Sequence, residues 1–203
     1  MHYDGDGAGE SDPAAQIAIL ATGYNLLLLD RLDSLDIPAA LVQSIDEAFS
    51  YPVLAIPTGG LSGLDTSGVF KAKLERYVSE GGTLIAFSQQ YGYDFTALPG
   101  GQVSGYGWDQ DESCHTYSVG VAQYHPIVAW ASGGTLSLNV DGFFMTYPSG
   151  AEVLLDRMKN GQPVMLLYEH GQGRVLATTV FSDMSPGLYL GTPDEKEILR
   201  SLF

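Results

Sequence analysis

A single cysteine, Cys114, stands among 203 residues. That excludes an internal disulfide framework and a cysteine-rich zinc site. It leaves the compartment open, because a core of this size needs no disulfide. Positive charge is also scarce: 9 Lys and Arg stand against 24 Asp and Glu, a net charge of −15. Such a surface does not neutralise phosphates, so no nucleic acid partner is expected, and anionic membrane surfaces are disfavoured. The same charge resists self-association. Long hydrophobic runs are missing, none approaching the roughly 18 to 20 residues that span a bilayer. No basic segment followed by an apolar one opens the sequence, so no signal peptide is visible. Scarce lysine with abundant Gly, Ser, Thr and Tyr leans towards an exported or cell-envelope bacterial protein.

What is present is organised around residues 51–93. The apolar run YPVLAIP ends in Thr58-Gly59-Gly60, an amphipathic segment ends in Gly81-Gly82, and the run TLIAF ends in Ser88-Gln89-Gln90-Tyr91. This is strand, helix, strand, which predicts an α/β fold with a parallel sheet. The runs are apolar without alternation, as strands covered on both faces are. Ligands of such sheets sit outside the carboxyl ends of the strands, so the polar tips are the first place to look for a site.

Residues 1–15 are rich in Gly, Asp and Ser and read as a flexible acidic linker or tail. Asp4-Gly5-Asp6-Gly7 has the opening of a calcium loop but lacks the later acidic ligands. Residues 16–203 read as one domain. A strand is predicted over 16–22 and a helix over 24–35, with Leu27, Leu28, Asp30, Arg31 and Leu35 suiting one buried face. A strand at 39–42 follows, then the 51–93 unit, whose helix has Asp65 or Thr66 as N-cap candidates and Phe70, Leu74, Tyr77 and Val78 as its buried stripe. Residues 88–113 form a long loop. Strands are predicted at 114–121, 135–140 and 151–155, with a helix start at His125-Pro126. Residues 163–170 and 174–181 form a hairpin about Gly171-Gln172-Gly173. A last helix is announced by Thr192-Pro193-Asp194-Glu195. The chain stops just past that helix, as a domain cut from a longer protein would.

Three pieces carry a family resemblance: the strands ending at Gly59-Gly60 and Ser88-Gln89, the helix end YVSEGGTLIAF, and HGQGRVLATTVFSD. Together they resemble a class I glutamine amidotransferase-like domain, in particular its non-catalytic ThuA-like and β-galactosidase trimerisation-like relatives. The resemblance implies a flavodoxin-like, doubly wound, mostly parallel sheet with an antiparallel C-terminal hairpin. Active members place a nucleophilic Cys on the turn after the strand matching residues 83–87, and a His-x-Glu pair after a late strand. This sequence has Ser88, Gln89 and Gln90 at the first place, and Asp183 without a histidine at the second. Amidotransferase activity is therefore not expected, since a thiolate needs a positioned base.

Other constellations keep two readings each. Cys114-His115 is tempting as a dyad, but neighbours on a strand point to opposite faces, and Cys114 reads instead as a small buried residue. Ser88 with His115 and Asp183 (or Glu112) has the residue types of a hydrolase triad, or Ser88 is a strand-end serine bonded to backbone. Asp109, Asp111, Glu112 and His115 could hold a cation, or form a solvated turn. Tyr91, Tyr93, Tyr106 and Trp108 beside Gln89, Gln90 and Asp109 have the composition of a sugar-binding surface, or of a face packed on a neighbouring domain. His125 and His170 read as structural, and His2 lies in the tail. The expectation is a domain with no cofactor and no metal. It would act in contact with other domains or identical subunits, or in binding a carbohydrate-like ligand through Ser88, Gln89, Gln90, Tyr91, Tyr106, Trp108, Asp109, His115 and Asp183. The alternative is a serine- or metal-dependent hydrolase using Ser88 or the Asp109–His115 cluster.

Overall fold

The structure is a computed structural model that describes residues 15–112, 116–184 and 192–203. Residues 1–14 of the linker with their Asp-Gly repeat, Cys114, His115 and Ser185 lie outside those residues. In chain order the elements are β1 (Ile17–Leu20), α1 (Asn25–Asp33), β2 (Ala39–Val42), α2 (Ile45–Ala48), β3 (Val53–Ile56), α3 (Gly68–Ser79) and β4 (Thr83–Ala86). A 3-10 turn at Gly92–Ala97 and β5 (Ser104–Tyr106) follow, then β6 (Thr116–Val121), a short 3-10 turn at Pro126–Val128, β7 (Thr135–Val140) and β8 (Phe143–Thr146). β9 (Glu152–Arg157), β10 (Pro163–His170), β11 (Gly173–Thr178) and α4 (Pro193–Leu202) complete the chain.

Nine strands form one sheet in the order β2-β1-β3-β4-β11-β10-β9-β6-β7, and β5 pairs with β8 in a separate ribbon. The pairs β2–β1, β1–β3, β3–β4 and β4–β11 are parallel. From β10 outwards the sheet continues antiparallel. This is the doubly wound α/β fold of the sequence reading, with the antiparallel part carried past the hairpin to β7. Successive residues of the central strands feed two cores. Ile17, Ile19, Ala55 and Ile85 meet Leu28 and Leu32 of α1 and Ile198 and Leu199 of α4. Ala18, Leu20, Leu54 and Leu84 meet Ile45 of α2 and Leu74, Tyr77 and Val78 of α3. Both faces are covered, which is why these strands carry no polar alternation.

Local details differ from expectation for identifiable reasons. In α1 the buried face is Leu28, Arg31 and Leu32, while Leu27 is exposed. The cap of α3 is Ser67, whose hydroxyl accepts the N–H of Phe70, rather than Asp65 or Thr66. The long loop after β4 contains a 3-10 turn and a strand of its own. These pack so closely that a Cβ on Gly92 would lie 1.9 Å from the Gly105 carbonyl oxygen. The predicted strand at 151–155 starts later and runs on to Arg157.

The start of α4 does two jobs. Thr192 accepts the N–H of Glu195 and donates its hydroxyl to the Ser137 carbonyl. Asp194 and Glu195 accept the N–H groups of Ser137 and Asn139. Edge strands invite pairing with other chains, and here the outer N–H groups of β7 are met by the helix.

Candidate functional site

Three strand tips converge at the carboxyl edge of the parallel sheet. The tip of β3 and the tip of β4 are tied by Gly59 N–H to the Ser88 carbonyl at 2.9 Å. Behind β11, Asp183 is fully buried and accepts both the N–H and the hydroxyl of Thr58, each at 2.7 Å. Burial pushes the Asp183 carboxyl up to about 6, against the hydrogen bonds from Thr58 and from backbone N–H groups, which favour the charge.

Gln89 is fully buried and its amide is fully occupied. Its Oε1 accepts Leu61 N–H at 2.8 Å, while Nε2 donates to the carbonyls of Phe87 at 2.7 Å and Pro57 at 3.3 Å. Ser88 is 0% exposed, and its hydroxyl donates to the Asp141 carbonyl at 3.3 Å. This is the position where the resemblance would put a nucleophilic cysteine. Ser88, Gln89 and Asp183 are thus brought together, but as a buried clamp between loops.

The exposed side of the site is aromatic. The chain at 108–109 runs along 89–90, with Trp108 N–H on the Gln89 carbonyl and Asp109 N–H on the Gln90 carbonyl. Gly59 adopts φ +72°, and a Cβ there would sit 3.3 Å from Trp108 Cη2 and 3.8 Å from the Tyr24 ring. A side chain at this position would be strained and would press on both rings. Tyr91 and Tyr93 stack with centroids 5.0 Å apart and planes 7° apart. A hydrogen bond to the Asp109 carboxylate raises the Tyr91 phenol above its ordinary range, and desolvation, then Asp94, Asp65 and Asp109, raise Tyr93. Gln90, Tyr91, Trp108 and Asp109 therefore share one surface.

Tyr106 belongs to a neighbouring cluster. Its ring stacks on Phe143 at 4.7 Å, and the Arg157 guanidinium lies 5.0 Å over the Phe143 ring. Arg157 is buried, ion-paired with Asp111, and donates to the Gly142 carbonyl at 2.7 Å. Asp111 also accepts Gly142 N–H at 3.1 Å. Of the expected acidic cluster, Asp111 turns inward to a cation and Asp109 faces out beside Tyr91, while His115 lies outside the described residues. Among the described residues no three His, Cys, Asp or Glu side chains are grouped to hold a metal. No helix among them is long and apolar enough to cross a membrane.

Tyr24, Phe143 and Arg157 escaped the sequence reading. Arg157 had a signal: in a chain with only nine cations it lies two residues beyond the buried Leu155 of β9, the spacing of one strand face.

No protein-family model matches the chain, and no curated protein does. Solved structures do. A glutamine amidotransferase superposes with a TM-score of 0.63 at 18% identity, over 93% of this chain and 96% of that one. A ThuA-like protein from Bacteroides uniformis gives 0.61 at 13% identity, over 96% and 92%. The chain has the class I glutamine amidotransferase-like fold. A cold-adapted β-galactosidase from Rahnella sp. R3 gives 0.58 at 13% identity, over 93% of this chain but 30% of the enzyme. The glutamine amidotransferase-like fold thus also forms one part of a larger glycosidase.

Proposed function

We propose that this glutamine amidotransferase-like domain is non-catalytic and acts by binding, through contact with other domains or identical subunits or with a carbohydrate-like ligand at the carboxyl edge of the sheet. One observation carries the reading: Ser88, at the place of the family nucleophile, is 0% exposed with its hydroxyl committed to the Asp141 carbonyl. A nucleophile must reach a substrate carbonyl and have a base within about 3 Å. Asp183, in the region that matches the family's His-x-Glu pair, is held on Thr58. A similar fold spans 30% of a β-galactosidase chain, so it can stand as one part of a larger protein, which supports contact with other domains.

The test is turnover. The wild-type chain and Ser88→Ala are assayed for hydrolysis of glutamine and of activated aryl esters. The expected result is no turnover above buffer in either. Turnover by the wild type that drops by orders of magnitude in a folded Ser88→Ala would replace this reading with a hydrolase.

A further inference from the structure

The surface above the strand tips leaves large rings in water. Tyr91 and Tyr93 stack with planes 7° apart, which makes one flat face, and Tyr93 is 49% exposed. Tyr24 is 47% exposed and Trp108 is half-buried, and both rings lie within 4 Å of the place a Gly59 Cβ would take. Exposed rings gathered on one surface mark a place of contact.

The charge around these rings has one sign. Desolvation raises the Tyr93 phenol first, and the charges that add to it are the carboxylates of Asp94, Asp65 and Asp109. Asp94 is buried and accepts Tyr91 N–H at 3.1 Å, Asp65 is half-buried, and Asp109 is exposed. Among the described residues no Lys or Arg is ion-paired with any of the three. Lys71 donates to the backbone carbonyl of Asp65 at 3.4 Å, one cation against three anions. The chain as a whole carries −15, so the surplus here is not offset from further away.

These carboxylates act through their field, which needs no vacant lone pair. Asp109 keeps its charge while it accepts a neutral phenol. An anionic partner is repelled by such a surface. A neutral apolar partner would strip water from the carboxylates and return nothing. A guanidinium suits both parts. It is planar and weakly hydrated, it stacks on ring faces, and its edge N–H groups reach acids at the rim. The compact ammonium of lysine holds its water more tightly and stacks less well. The rings come from two separate parts of the chain, Tyr24 and residues 91–108, so the surface is spread for a segment rather than for one small cation.

We infer that the surface of Tyr24, Tyr91, Tyr93 and Trp108 docks an arginine-bearing segment of a partner protein. The inference rests on the binding reading above and names the partner by its chemistry.

The experiment is fluorescence anisotropy on the full chain with a rhodamine-labelled peptide of Gly and Ser carrying two arginines. The same peptide with two lysines or two glutamines is the comparison. The arginine peptide should bind, about threefold or more tighter than the lysine peptide and about tenfold or more tighter than the glutamine peptide. Its affinity should fall about threefold or more in Tyr93→Ala and in Asp109→Asn, and hold in Tyr93→Phe. Asp33→Asn makes the same charge change on an exposed side chain in the last turn of α1, and should alter binding by about twofold at most. Asp109→Asn reads binding even if Tyr93→Ala fails to fold. No binding of the arginine peptide, equal binding of the lysine or glutamine peptide, or equal losses in Asp33→Asn and Asp109→Asn would overturn the site. Mass spectrometry of the same samples separates the two levels. A cleaved peptide would overturn the non-catalytic reading itself, whereas an intact but unbound one would remove only the arginine partner.

Discussion

Replacing Asp183 by Asn should flatten the dependence of stability on pH. The carboxyl is fully buried and raised from its ordinary 3.8 to about 6, chiefly by desolvation. Below pH 3.8 the group is protonated in both folded and unfolded chains and contributes no penalty. As pH rises, the unfolded chain releases the proton first, so folding stability is lost progressively until pH passes the folded value near 6. At about 1.36 kcal/mol per pH unit, the gap amounts to about 3 kcal/mol of stability lost by pH 7. Roughly half of that falls between pH 4.8 and 7, a window clear of the isoelectric point near 4.3.

Urea unfolding followed by tryptophan fluorescence gives the wild-type stability at each pH. Asp183→Asn provides the reference that cancels every other titrating group. The new amide keeps an acceptor for Thr58 N–H and can donate to the Thr58 hydroxyl, so the clamp is conserved in outline. The wild-type stability minus that of the Asp183→Asn variant should fall by about 1–2 kcal/mol from about pH 4.8 to 7. Parallel curves would refute the reasoning. A difference that rose with pH would also refute it, since it would mean that the Thr58 hydrogen bonds outweigh burial and hold the carboxyl below its ordinary range.

Four further outcomes follow from the packing. Asp111→Ala strands the buried Arg157 guanidinium and should cost about 3–5 kcal/mol in urea unfolding, whereas Asp111→Leu with Arg157→Met should recover most of it. Gly92→Ala drives a methyl group into the Gly105 carbonyl and should lower stability by about 1–3 kcal/mol or more, while Gly68→Ala, with open space at its Cβ, should be neutral or slightly stabilising by the same measurement. Thr192→Ala removes the α4 cap and a bond to β7 and should cost about 1–2 kcal/mol, with faster amide exchange at Ser137 and Asn139 as the local signature. Ser88→Ala should cost about 1 kcal/mol at most, as a hydrogen bond whose other partner is a backbone carbonyl.

The parallel half of the sheet was legible because its strands are buried on both faces and therefore spelled in uninterrupted apolar residues, as at Val53–Ile56 and Thr83–Ala86. The start of α4 was legible because Thr192, Pro193 and Glu195 each satisfy a distinct demand of a helix N-terminus. The cap of α3 was misplaced because Asp65, Thr66 and Ser67 are all competent, and only the backbone decides which hydroxyl reaches Phe70 N–H. The one-turn α2 was passed over because four residues cannot show a period, although Ser44 and Glu47 had the spacing of a capping box and are joined by hydrogen bonds in both directions. The Asp111–Arg157 pair was out of reach for a deeper reason. It joins residues 46 apart through a packed loop, and no local pattern encodes such a partner.

The fate of the polar residues at the strand tips follows from where they stand. A buried polar group that lacks a partner costs about 1–3 kcal/mol, so tips that converge without a ligand must satisfy one another. Here Thr58 answers Asp183, Gln89 answers Leu61 and Pro57, and Ser88 answers Asp141. The buried hydroxyls of Thr22 and Ser182 nearby have no such partner among the described residues, but Thr58, Ser88 and Gln89 are committed to their neighbours, and these two tips form a rigid base. The loop that follows β4 is built on that base, through Gly59, Gln89 and Gln90, and it carries the rings of Tyr91, Tyr93, Tyr106 and Trp108 outwards. Rigidity at the tips and recognition in the loop are then one arrangement. Loosening the base, as Gly59→Ala would by pressing on Trp108 and Tyr24, should weaken any ligand held by the loop although residue 59 touches none of it.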